Sequence, residues 1–115
     1  MATKIKIKKG ESLIVEGGDS KSLYWVQDGQ LEVYKKKGKN DVLLGHVYTG
    51  ELVGEMSFLD DMPRCASVKA LTDCELLEIK ADNYKQIFDG QPKWLQLLIR
   101  TLVERLRRAN AKIKI

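Results

Sequence analysis

Arg64 and Glu55 are the two charged residues of this chain whose setting points to chemistry. They bracket the run Gly54-Glu55-Met56-Ser57-Phe58-Leu59-Asp60-Asp61-Met62-Pro63-Arg64-Cys65-Ala66. Gly54 lets backbone approach a ligand closely, and a helical turn starting there aims unpaired N–H groups at an anion. The guanidinium of Arg64 is a planar fork suited to one phosphate. Glu55 cannot bind phosphate, but its carboxylate accepts hydrogen bonds from a sugar hydroxyl. A phosphate and a ribose read side by side suggest a nucleotide. The plainer alternative is a surface crossover in which Arg64 pairs with Glu55, Asp60 or Asp61, a kind of contact that is common and weak.

The same run resembles the phosphate-binding cassette of the cyclic nucleotide-binding domains. That family shares a Gly-Glu pair, a short helix, and an Arg followed by a small residue and Ala, usually with Pro before the Arg. The resemblance extends upstream through Lys9-Gly10-Glu11, Glu16-Gly17, Leu23-Tyr24-Trp25-Val26, Gly29, Leu31-Glu32-Val33 and Gly50-Glu51-Leu52. Downstream it runs through Ser67-Val68-Lys69-Ala70 and Cys74-Glu75-Leu76-Leu77-Glu78-Ile79, so that it spans roughly residues 5 to 112.

The resemblance implies a non-enzymatic sensor whose ligand is cyclic AMP or cyclic GMP, with no cofactor. Arg64 would grip the exocyclic phosphate oxygens and Glu55 the ribose 2′-hydroxyl. Backbone N–H groups of Ser57 and Ala66 would complete the cradle that Gly54 and Met56 help to form. Cys65 keeps the cradle open, and cysteine is a poor hydrogen-bonding substitute for the threonine that can hold guanine in relatives. Cyclic AMP is therefore favoured over cyclic GMP. Ligand capture would draw in the turn Met56 to Leu59 and repack the C-terminal helices, with Phe58, Leu59 and Phe88 as hinge contacts. The alternative is a degenerate fold that serves as a nucleotide-independent interaction module.

Strand alternation predicts that Val33 and Leu44 face the interior and flank sugar or base; plain core packing is the other reading of both. Trp25 and Trp94 are candidates for stacking on a purine or for packing. A reactive thiol at Cys65 is weighed against an inert small filler, since Arg64 and helix N–H groups favour a thiolate there. His46 is the single histidine and makes no metal site without partners. No Ser-His-Asp, Cys-His or paired-carboxylate arrangement emerges.

With 115 residues the chain is long enough for one domain with a real core. A charged fraction of 31% beside 43% hydrophobic residues fits a soluble globular protein. No apolar run is long enough to span a membrane, and the start Met1-Ala2-Thr3-Lys4-Ile5-Lys6 lacks a signal-peptide core. Cys65 and Cys74 are read as reduced thiols in a cytoplasm, unbridged because they lie in or beside a hairpin. The charge is uneven. Residues 91–115 carry seven Lys/Arg against one acid, whereas residues 1–90 sum to −2. That basic tail is read as a solvated helix face or a link to a partner, with nucleic acid an unlikely one.

The elements that must position the cassette are mainly β, with helices at the C-terminus. Residues 4–80 alternate in short apolar runs with turn signals, and seven or eight strands predict an antiparallel double-sheet barrel, a jelly roll. Asp28-Gly29 reads as a hairpin between Leu23–Gln27 and Leu31–Lys35. Lys36 to Asp41 reads as a solvated loop, and the last strand pair is expected to join around Thr72-Asp73. A short helix is predicted over about 81–89 and a long one over about 91–112, with Pro92 in its first turn. In it Leu95, Ile99, Leu102, Leu106, Ala109 and Ile113 recur at steps of three and four, a seam of fewer than three heptads. The seam is expected to pack on the barrel or to join a second copy, with Trp94 and Leu98 serving the barrel. The chain enters its first strand almost at once, without the helical element usual in the family. A stand-alone module and a regulatory domain of a longer protein both remain open, and the effector is unassigned.

Overall fold

The structure, a computed structural model, describes residues 2–112, with side chains to residue 109. Eight strands come first in the chain, interrupted by one short helix: β1 (Ala2–Ile7), β2 (Ser12–Ile14), β3 (Leu23–Asp28), β4 (Gln30–Lys37), β5 (Asn40–Tyr48), β6 (Leu52–Val53), α1 (Glu55–Asp60), β7 (Ser67–Ala70) and β8 (Cys74–Ile79). Helices α2 (Ala81–Asp89) and α3 (Lys93–Lys112) follow. The strands form two antiparallel four-stranded sheets, ordered β1-β8-β3-β6 and β2-β7-β4-β5. This is the mainly β, double-sheet jelly-roll architecture with C-terminal helices that the sequence predicts.

Alternation builds the core between the sheets. In β1 the lysines Lys4 and Lys6 point outward, where both reach Glu75. Ile5 and Ile7 point inward and pack against the core. Tyr24, Val26, Leu76 and Cys74 from one sheet meet Ile14, Leu31, Val47, Val68 and Ala70 from the other. Val26, Leu31 and Leu76 are fully buried, so truncating any of them to Ala costs about 2–5 kcal/mol.

Two expected hairpins are instead corners. β3 and β4 lie in different sheets, as do β7 and β8. The turn chemistry at Asp28-Gly29 is real, with Gly29 at φ 115° and room for a Cβ blocked 2.6 Å away by the Cys74 sulfur. It turns the chain across the barrel, however, and does not pair its two flanks. The expected loop at Lys36 to Asp41 is the true hairpin: Lys37 pairs with Asn40 around Gly38 and Lys39. Gly38 takes φ 63° there, a left-handed conformation open to glycine without strain.

A bulge corrects the expectation for Leu44. Val33 pairs with Gly45 and Tyr34 with Leu43, so Leu44 is the extra residue of β5. Counted from Val42, alternation would turn it inward, but the inserted residue changes the parity, so that Val47 faces the core and Leu44 is 39% exposed. Val33 keeps its inward face against the core.

The helices build on one another through Phe58, Tyr84 and Phe88, whose rings pack tilted, with centroids 4.7 and 5.1 Å apart. Phe58 and Phe88 are buried, which places two of the expected hinge contacts in the α1–α2 joint. Helix α3 starts at Lys93, with the Pro92 carbonyl accepting from Leu95 and Gln96 just outside it. Its inward residue is Val103, 3% exposed, flanked by half-buried Ile99 and Arg107. Trp94 and Leu98 do not serve the barrel: both are exposed, as are Leu102 and Leu106. Of the expected seam, Leu95 and Ile99 are half-buried, Ala109 is exposed, and Ile113 lies outside the described residues. No helix among the described residues is long and apolar enough to cross a membrane.

Candidate functional site

Gly54 is where the chain can turn from β6 into α1. It adopts φ 85°, and a Cβ there would fall 2.6 Å from Arg64 Nη1 and 3.1 Å from the Ser22 carbonyl oxygen. Any side chain would therefore be both strained and obstructed. Glu55, Met56 and Ser57 form the first turn of α1, where backbone N–H groups point out of the helix end. The helix closes at Asp61, which takes φ 60° and donates its N–H to the Ser57 carbonyl. Six residues of helix are enough to swing Glu55 and Ser57 to one mouth of the barrel.

Arg64 returns to the same mouth from the far side of α1. Its backbone is clamped to the β2–β3 loop: its N–H donates to the Gly18 carbonyl, and its carbonyl accepts from the Gly17 N–H. The side chain is 4% exposed. Its Nη1 donates to the Gly54 carbonyl at 2.9 Å, and its Nη2 to the Ser22 carbonyl at 2.6 Å and Ser20 Oγ at 3.4 Å. Nε is buried with no partner. Burial lowers the Arg64 pKa, while the Tyr24, Cys65 and Glu55 charges act in the opposite direction. An Arg remains a cation under these conditions, so this is a buried positive charge with one donor still to be satisfied. The carbonyls hold the guanidinium in place, and Nε is left without a partner.

A cavity of about 150 Å³ opens beside it, lined by Val33, Gly54, Glu55, Met56, Ser57, Arg64, Cys65 and Ala66. The sequence thus names most of the polar lining. It misses the apolar wall of Ile14, Val47, Leu52, Val53 and Val68, which comes from strands distant in sequence. Leu44 is not part of the lining. Trp25 stands 44% exposed at a position paired with Leu52 and Leu77, and Trp94 is 67% exposed at the start of α3; neither lines the cavity. His46 is exposed, with its ring near Tyr48. Among the described residues no group of three His, Cys, Asp or Glu is placed to hold a metal.

The alternative pairing for Arg64 is also resolved. Asp60 pairs with Arg107 of α3, not with Arg64. Arg107 further donates to the Pro63 carbonyl at 3.3 Å and stands 3.5 Å from Ser57 Oγ, so α3 is fastened to both ends of the cassette. Burial works against the Asp60 charge, but the hydrogen bonds and charge of Arg107 and the Met62 N–H outweigh it and lower the carboxyl pKa. Arg107 escaped the sequence reading because it is one of four arginines on the helix. The signal available was its position four residues after Val103, on the single face that also holds Ile99.

The double-sheet jelly roll thus brings a buried arginine and a glycine-started helical turn together at one cavity. The family model described as cyclic nucleotide-binding domain matches residues 4–91, and the chain belongs to that family. It is 32% identical to the cAMP-activated global transcriptional regulator CRP of Haemophilus influenzae, over 89% of this chain and 46% of that protein. It is 34% identical to the cAMP-dependent protein kinase regulatory subunit of Aspergillus fumigatus, over 72% of this chain and 20% of the other. Among solved structures it is similar to the cAMP-bound form of an EAL enzyme, with a TM-score of 0.89 and 32% identity over 95% of this chain and 29% of that one. The chain thus spans between a fifth and about half the length of these curated relatives.

Proposed function

We propose that this domain binds a cyclic nucleotide at the cavity beside Arg64, with cyclic AMP favoured over cyclic GMP, and acts by binding alone. The observation that carries the reading is the buried Arg64, a residue of the cavity lining that is fixed by two backbone carbonyls and has its Nε unpartnered. Burying a cation that way is costly unless an anion completes it. The cyclic phosphate would take the Nε edge of Arg64, with first-turn N–H groups of α1 and the Ala66 N–H as further donors. Glu55 would accept from the ribose 2′-hydroxyl, and Met56, Cys65 and Val33 would line the sugar.

A cavity of about 150 Å³ is below the roughly 300–1,000 Å³ of sites that enclose a drug-sized ligand. It suits the ribose phosphate and leaves the base at the mouth. Cys65 offers guanine only a weak donor, which supports the preference for adenine. Occupancy would shift α1, and Arg107 would carry that shift into α3. An effector would read α3, whose exposed Trp94, Leu98, Leu102 and Leu106 also offer a contact for a second copy. Relatives of this domain in longer chains make a regulatory module the expected context.

Calorimetric titration with cyclic AMP and cyclic GMP tests the reading. Binding of micromolar order, about −8 kcal/mol, is expected for cyclic AMP. No heat with either nucleotide at millimolar concentration would refute it and leave an interaction module that retains only the fold.

A further inference from the structure

We propose that Cys65 is a modification site inside the cradle, where its thiol reacts with hydrogen peroxide or a soft electrophile and the product and the nucleotide exclude each other. This rests on the nucleotide-binding reading above. Cys65 lines the same small cavity as Arg64, directly after it in the chain, and is only half-buried. The second observation is Arg64 itself, nine-tenths buried with its Nε unpartnered in a side chain that lines that cavity. The thiol and an incompletely satisfied buried cation therefore belong to the lining of one cavity.

A thiolate is the nucleophile in thiol chemistry, and exposure decides which thiol a reagent reaches. Both Arg64 and Arg107 lie close enough for a charge on Cys65 to act on them. Cys74 provides the internal contrast. It is 2% exposed, whereas Cys65 is half-buried. With peroxide, the Cys65 thiolate attacks one oxygen, the O–O bond breaks, and sulfur gives up two electrons. The products are the sulfenic acid and, after the departing oxygen takes up protons, one water. An added oxygen, or a larger group from an electrophile, then occupies part of a cavity of about 150 Å³ that the ribose phosphate needs.

The test treats the purified chain with N-ethylmaleimide, or with hydrogen peroxide and a sulfenic-acid trap, and reads each cysteine by peptide mass spectrometry. Cys65 is expected to react at least about tenfold faster than Cys74, and saturating cyclic AMP to slow Cys65 by a similar factor. The singly modified chain should lose cyclic AMP binding in calorimetry, whereas the affinity of Cys65→Ser, whatever its starting value, should be unchanged by either reagent. Equal rates at the two cysteines, no protection by bound nucleotide, or unchanged affinity after modification would each overturn the gate while binding itself stands. An untreated chain that binds neither cyclic nucleotide would instead refute the binding reading, and the gate with it.

Discussion

Arg107 and Asp60 join the end of the long C-terminal helix to the last residue of the cassette helix, 47 positions earlier in the chain. Nε bonds one carboxylate oxygen, and Nη2 bonds the other at 2.9 Å. Both side chains are 22% exposed, so the pair is partly shielded from water and salt. That geometry exceeds an ordinary surface ion pair in two respects, its bidentate fork and its partial burial. It is the direct connection through which movement of α1 would reach α3.

Asp60→Asn and Arg107→Ala are therefore each expected to cost on the order of 1–3 kcal/mol of stability. The double variant should cost clearly less than the sum of the two, the coupling a double-mutant cycle measures by urea unfolding. Additive losses would mean that the two residues act independently. Nucleotide affinity should change by less in these variants than in Arg64→Ala, since neither residue lines the cavity.

The same pair sets a pH dependence. Burial raises the Asp60 pKa, but Arg107 and the Met62 N–H prevail and hold it below its ordinary 3.8. A carboxyl with a depressed folded pKa contributes stability that is complete above the unfolded value and disappears as pH falls through the folded one. The stability gap between the unaltered chain and Asp60→Asn should thus be constant from pH 7 to about 5 and shrink below about pH 4. Urea midpoints across that range give the answer, and a gap that widens in acid would reverse the assignment.

Gly54→Ala should damage both fold and site. It forces a side chain to φ 85° and drives a Cβ to 2.6 Å from Arg64 Nη1. A loss of about 1–3 kcal/mol is expected, with at least tenfold weaker cyclic AMP binding because the guanidinium must move. Gly38→Asn is the matched control. It also has positive φ, but nothing lies within 4 Å of its would-be Cβ, and Asn tolerates that backbone. Thermal melts that rank the two equally would remove the steric argument.

Local chemistry was legible in this chain, and pairing was not. Gly54, Gly29 and Gly38 mark turns because backbone at positive φ selects glycine within a few residues. Which sheet a strand joins depends on partners far along the chain, so Asp28-Gly29 looked like a hairpin and is a corner between sheets. Leu44 was placed inward because alternation has a period of two, and one inserted residue reverses it. The polar cradle came from one contiguous run and could be named from it. Its apolar wall comes from β2, β5, β6 and β7, and the Arg107–Asp60 pair depends on where α3 lies against α1. The wall leaves no mark in local sequence, and the pair leaves only the spacing of Arg107 from Val103 and Ile99.

Arg64→Ala should cost far more cyclic AMP affinity than Glu55→Ala. The first removes a buried charge facing an ionised phosphate, the second a charged acceptor for a neutral hydroxyl worth about 1.5–3 kcal/mol. Arg64→Lys should fail to restore binding. An ammonium cannot hold the Gly54 and Ser22 carbonyls with one end while presenting an Nε edge to the ligand. Calorimetry on all three variants, with circular dichroism to confirm folding, decides it. Equal losses for the two alanine variants would show the roles to be misassigned.

Association through α3 is the remaining expectation. Trp94, Leu98, Leu102 and Leu106 recur every four residues and are all exposed, so the helix presents an apolar row that the barrel does not cover. Fewer than three heptads make a weak two-helix contact. The arginines at 100, 105 and 108 crowd the same helix and oppose a parallel partner, since like charges at close range are destabilising. Salt screens that repulsion within about 10 Å at 0.1 M and leaves apolar burial intact. A weak dimer that tightens with ionic strength is the expected outcome of sedimentation velocity. The paired change Leu98→Glu with Leu102→Glu should yield a monomer without loss of cyclic AMP binding, because neither side chain lines the cavity. A chain that is monomeric at high concentration in both low and high salt would leave the row to an effector and not to a second copy.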